Sequence, residues 1–145
     1  MERRDRIIRS IWAACLFLAG INHARILLQH GLFWDYHGAS LASAVYWSSL
    51  TVIDPLVAVL LFVRPKIGVP ATVAVITTNV AHNLALTALN MRDGTLLRYV
   101  ISSPQLMSQI GFLLFVIATQ RMAQSDVRKV NVVGTVKITN KPSQM

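Results

Sequence analysis

Acidic residues are scarce in this chain: six Asp and Glu stand against fourteen Lys and Arg, a net charge of +8. Charge of either sign is scarce too, at 14% of 145 residues, with 54% hydrophobic. A water-soluble domain of this size needs more charge than that to cover its surface. There is one cysteine, Cys15, which excludes an internal disulfide and dithiol redox chemistry. The apolar stretch before it is too short for a lipoprotein site, and a small buried filler is its simplest role. Motifs that name a reaction are missing as well: there is no HExxH, Gly-rich phosphate loop, GxSxG elbow or CxxC. No internal repeat stands out.

What is present is long apolar runs. Residues 7–28, 41–63, 67–89 and 97–119 each read as one bilayer span, because about twenty residues at about 1.5 Å rise cross a hydrocarbon core about 30 Å thick. Hydrocarbon offers no partner for backbone N–H and C=O groups, so such segments must be helices. The runs do not alternate, which excludes a small barrel. The expected fold is therefore all-α: an integral membrane four-helix bundle over residues 1–123 with short loops. A basic, polar tail over 124–145 follows it. The basic start and the apolar run to Leu28 lack a small-x-small cleavage site, which predicts a retained signal anchor.

The pI near 10.6 would suit nucleic acid, but the positions of the charges argue against that partner. Arg3, Arg4, Arg6 and Arg9 precede span one, Arg64 and Lys66 fill the second loop, and Arg121, Arg128, Lys129, Lys137 and Lys141 follow span four. The first loop, 30–39, has no Lys or Arg, which leaves only Arg25, Arg92 and Arg98 for the opposite side. That positive-inside bias predicts a multi-pass protein of the cell membrane with both termini cytoplasmic, attracted to anionic lipid headgroups. Trp34 and Tyr36 in the first loop read as an interfacial aromatic belt. Trp12, Trp34 and Trp47 need no role beyond anchoring and packing.

The expected partners are the bilayer and a small apolar ligand. Small-residue stripes, Gly38, Ala39, Ser40, Ala42, Ser43 and Ala44 at the start of span two and Ala81, Ala85 and Ala88 on span three, also allow close helix contact within the chain or in a homo-oligomer or larger membrane complex. In the tail, residues 130–138 are β-prone around Gly134. With no sheet to join, disorder is expected there, or pairing with a second copy.

The functional clue is a set of polar side chains where hydrocarbon should be. Span one carries Asn22, His23 and Arg25; span two carries Asp54; span three carries Asn79, His82 and Asn83; span four carries Gln105 and Gln109. Helical rise puts Asp54, Asn79 and Gln109 near the bilayer centre and the rest toward the outside, leaving the inner half almost wholly apolar. Asn79, His82 and Asn83 share a face, as do Trp47, Thr51 and Asp54, and as do Ser102, Gln105 and Gln109. On span one the shared face is Cys15, Asn22, Arg25 and Gln29, with His23 about a quarter turn away. Asp54-Pro55 predicts a kink or a break in span two, since the ring removes a helical hydrogen bond. Ser103-Pro104 predicts a helix start, leaving 95–102 along the interface.

These stripes predict a polar intramembrane pocket that binds a lipid, quinone or isoprenoid, with Asp54 and His82 moving a proton. Asn22, His23, Arg25, Asn79, Asn83, Gln105 and Gln109 would hold the polar head. Two alternatives remain open. His23 and His82 on separate helices could ligate a haem b, with Arg25 meeting a propionate. Equally, the polar residues could be interhelical glue in a structural subunit or small transporter component. The sequence fixes no cofactor and no metal set: one Asp and two His from three helices is too little.

Overall fold

The computed structural model describes residues 3–32, 34, 36 and 38–124, and among them there are five helices and no strand. They are α1 (Arg3–His30), α2 (Leu41–Val63), α3 (Pro65–Asn90), α4 (Leu96–Ser102) and α5 (Pro104–Ala123). All but α4 are long and apolar enough to cross a bilayer. The tail segment 130–138 lies outside the described residues, as does the rest of 125–145.

Local sequence sets the ends. After α1, Gly31 takes the left-handed conformation at φ 85°, and its N–H caps the Leu27 carbonyl at 2.8 Å; this is the usual use of glycine at a helix end. Ser40 caps α2 by accepting from the Ser43 N–H. Arg64 alone separates α2 from α3, whose first residue is Pro65, so the two helices run antiparallel. The expected fourth span divides at Ser103. Its hydroxyl accepts from the Leu106 N–H, and Pro104, which lacks an N–H, opens α5. The span is therefore α5, and the expected 97–119 is corrected to Pro104–Ala123, with α4 as a separate short helix. Span one extends beyond the expected limits to Arg3 and His30. Pro55 does not break α2, which continues from Leu41 to Val63.

The four long helices pack in a ring, α1 on α2, α2 on α3, α3 on α5 and α5 back on α1. A heptad-like stripe of α1 (Trp12, Ala13, Leu16) meets Val57, Ala58 and Leu61 of α2, Val69, Ile76 and Val80 of α3 and Val116 of α5 in one core. Outside that core the surface is apolar. Leu18, Val52, Leu56, Leu114 and Ile117 are each about half exposed or more, a pattern that suits hydrocarbon and not water.

The end of the bundle near Arg9 and Ala123 carries buried polar contacts of its own. Arg9 is buried, and its guanidinium donates from Nε (2.9 Å) and Nη2 (2.6 Å) to the Ala123 carbonyl. Asp5, one turn away, is buried as well. The Trp12 indole N–H donates to Thr119 Oγ1 at 3.1 Å. Both contacts join α1 to α5. An Arg at a helix C-terminus satisfies carbonyls that the helix itself leaves open.

Candidate functional site

Toward the other end α1 and α5 part, and the bundle holds two adjoining spaces of about 470 Å³ each. The first is a cleft between Cys15, Leu18, Ala19 and Asn22 of α1 and Gln105, Ser108 and Phe112 of α5. Its floor is Val75, Ile76 and Asn79 of α3 together with Asp54 of α2. Leu18, Asn22 and Ser108 are exposed, so the cleft opens sideways. The second space lies nearer the loops, under Trp34 and Tyr36, and is bounded by Trp47, Asn83, Asn90 and Ser103. His23, Gln105 and Gln109 border both, so the two spaces meet there.

Asp54 reaches the cleft because α1 and α2 touch closely at its level. A Cβ on Gly20 would stand 2.9 Å from Pro55 Cδ and 3.6 Å from Asp54 Cβ. Only 2% of Asp54 is exposed, and among the described residues it has no hydrogen-bond partner. His23 is 6% exposed, and its Nδ1 is buried without a partner. The Thr51 hydroxyl, one turn before Pro55, is likewise buried and unpaired. Pro55 has no N–H to offer the Thr51 carbonyl, so the helical ladder lacks that bond at the same turn. Unpaired buried polar groups are rare in folded proteins and call for an explanation.

The amides behave differently. Asn83 accepts at Oδ1 from the Trp47 indole at 3.1 Å. Its Nδ2 donates to Asn79 Oδ1 (3.1 Å) and Gln109 Oε1 (2.9 Å). One side chain thus ties α2, α3 and α5 together. Asn79 is buried, whereas Gln109 is half-buried and Gln105 exposed at the cleft edge.

Seven of the nine residues singled out by sequence border one space or the other: Asn22, His23, Asp54, Asn79, Asn83, Gln105 and Gln109. Arg25 and His82 border neither. Arg25 is exposed, whereas Cys15 and Asn22 of the same expected α1 face line the cleft beside the inward-turned His23. His23 lies on the buried stripe of Trp12, Leu16 and Gly20, and Gly20 lets that stripe come close to Pro55 of α2. The His82 ring instead sits against Tyr46 (centroids 4.7 Å) and edge-on to Trp47 (5.5 Å), with Nε2 buried and unpaired. Ser102 is set apart in α4, bonded to the Tyr99 carbonyl.

The sequence does not show that the aromatic rings meet one another. His30, Trp34, Tyr36, Trp47, His82 and Tyr46 form a continuous series of ring contacts, with centroids between 4.0 and 5.5 Å apart. Trp34 and Tyr36 border the loop-side space, and Tyr36 adopts φ 49°. The one available signal was the shared face of Trp47, Thr51 and Asp54. Among the described residues, no group of three or more His, Cys, Asp or Glu side chains is arranged to hold a metal ion.

Fold and site together define an all-helical bundle with four candidate membrane spans and a polar-lined lateral cleft. Comparison with family models, with curated proteins and with solved structures returned no match.

Proposed function

We propose that this chain is a multi-pass membrane protein that binds a small, largely apolar molecule with a polar head. The molecule enters the α1–α5 cleft sideways from the lipid. Both termini face the cytoplasm in this reading, which puts the cleft toward the outer leaflet, since the cationic ends of α1 and α5 lie together at the opposite end. The observation that carries the reading is the pair Asp54 and His23: both are buried at the cleft and neither finds its full set of partners in the protein. An intramembrane ionisable group without a partner is a functional candidate by default. The cleft is also of a size usual for small-molecule sites. If the ligand is transformed, Asp54 and His23 are our choice for the groups that exchange a proton with it, in place of Asp54 and His82.

The haem alternative is less well supported, because His82 and Arg25 border neither of the two spaces that His23 borders. The glue reading keeps one specific support, the Trp47–Asn83–Asn79–Gln109 network, which accounts for those amides without any ligand.

The test is mass spectrometry of small molecules extracted from gently purified protein, against a detergent-only blank. A defined lipid, quinone or isoprenoid near one per chain, lost in Asp54→Asn with folding intact, supports the binding reading. Bulk lipid in bulk proportions for both proteins favours the structural one.

A further inference from the structure

The connection between α3 and α5 holds a further space, separate from the cleft. It measures about 300 Å³ and is bordered by Asp93 of the loop and by Arg98, Tyr99 and Ser102 of α4. Asp93 and Arg98 are both exposed, and exposed carboxylates and guanidinium groups are charged at neutral pH. The turn at Gly94 (φ 94°) brings them to one space, with Arg98 Cδ 3.9 Å from where a Gly94 Cβ would stand. Yet among the described residues Asp93 and Arg98 form no ion pair, with each other or with a third residue. Ser102 Oγ already donates to the Tyr99 carbonyl at 3.1 Å. The unmet groups are therefore the two charges, of opposite sign, on one small space.

The depth of that space follows from α4. No residue of α4 is buried, and Leu97 and Ile101, one turn apart, are 67% and 63% exposed. Arg98 and Ser102 form the neighbouring edge of the helix. A short helix with one apolar and one polar edge, joining two spans, lies in the interface plane with the apolar edge toward the acyl chains. The two charges then stand among the lipid headgroups. Any phospholipid can bring its phosphate to the Arg98 guanidinium. Phosphatidylglycerol offers Asp93 no cation. Phosphatidylcholine offers a cation whose methyl groups leave it no N–H to donate. Phosphatidylethanolamine offers an ammonium with N–H donors, and so completes both charges at once. A direct Asp93–Arg98 pair is a weak competitor, because ion pairs at exposed positions are worth little.

We propose that Asp93 and Arg98 form a headgroup site for phosphatidylethanolamine, with the phosphate on Arg98 and the ammonium on Asp93. Arg98 supplies retention and Asp93 supplies discrimination. The site rests on the membrane setting above and not on the ligand of the α1–α5 cleft, with which it shares no residue. Arg92, on the same turn, does not border the space, and its charge adds a general attraction for anionic lipid.

The test uses the full chain in nanodiscs of equal parts phosphatidylethanolamine, phosphatidylcholine and phosphatidylglycerol. Gentle stripping with detergent and native mass spectrometry then identify the lipids that stay bound. Expected is phosphatidylethanolamine retained about threefold over phosphatidylcholine, for one charge-assisted hydrogen bond discounted at an exposed site. Asp93→Asn should bring the two toward equality, and Arg98→Gln should lower retention of every phospholipid. Both positions are exposed, and circular dichroism checks that both variants fold. Free phosphoethanolamine in millimolar excess should not displace the lipid, because it lacks the chains that lie along Leu97 and Ile101. Displacement by it would overturn the lipid as the source of the head. Retention in bulk proportions, phosphatidylglycerol ahead of phosphatidylethanolamine, or a preference that survives Asp93→Asn overturns the site. None of these outcomes bears on the α1–α5 cleft, whose own test follows a molecule lost in Asp54→Asn.

Discussion

Gly20 of α1 lies directly against the Pro55 ring of α2, so closely that a Cβ would come within 2.9 Å of Pro55 Cδ. This contact brings the α1 stripe inward and sets Asp54 beside the cleft. Gly20→Ala should push the helices apart and destabilise the bundle by about 1–3 kcal/mol, in the range of core overpacking. Gly111→Ala is the matched control, since a Cβ there meets nothing within 4 Å. Unfolding in detergent, followed by circular dichroism, should separate the two variants clearly, with Gly111→Ala neutral or slightly stabilising. Equal behaviour would mean that α1 and α2 are not so closely apposed.

A second prediction concerns the far end of the bundle. Arg9→Leu removes both donors to the Ala123 carbonyl and leaves it buried without them. The expected loss is about 1.5–3 kcal/mol, as for a hydrogen bond to a charged group. Arg4→Leu, at an exposed position on the same helix, should change stability by less than about 0.5 kcal/mol. The same unfolding assay compares them. If Arg9 served only as a flanking positive charge, the two variants would match.

Asn83→Leu breaks three hydrogen bonds at once. Such bonds average about 0.6 kcal/mol in bilayer proteins, so a cost of about 2 kcal/mol is expected. The Trp47 emission should shift too, because its indole N–H loses its acceptor. A stable variant with an unchanged emission spectrum would remove the network from any account of the bundle.

Cys15 offers a label inside the cleft without engineering, as the only cysteine in the chain. A lipid-soluble maleimide should modify it faster than a charged, water-soluble thiol reagent when the protein is in a bilayer. An occupant of the cleft should slow the first reaction. Faster labelling by the charged reagent would mean that the cleft opens to water.

The proposed orientation is checked by reporters fused to the N- and C-termini. Both should report the cytoplasm. Reporters on opposite sides would be incompatible with four crossings.

The sequence by itself determined the class of structure. Four apolar runs of bilayer length have only one backbone solution in hydrocarbon, and Ser103-Pro104 marks where the last helix begins. It also determined which polar residues were out of place, since hydropathy alone exposes Asp54, Asn79 and Gln109 within apolar runs. What the tertiary structure decided was facing and pairing. Helical periodicity says which residues share a side of one helix, but not which side turns inward. For α1 that choice involved Gly20 meeting Pro55, a contact between residues far apart in the chain, and it kept Asn22 and His23 at the cleft while leaving Arg25 outside it. The same holds for Arg9, which composition counts as a flanking charge and which the fold buries against Ala123. Close packing of distant segments selects one helix rotation from several that the local pattern allows, and only that selection distinguishes a polar side chain tied to its neighbours from one left open to a ligand.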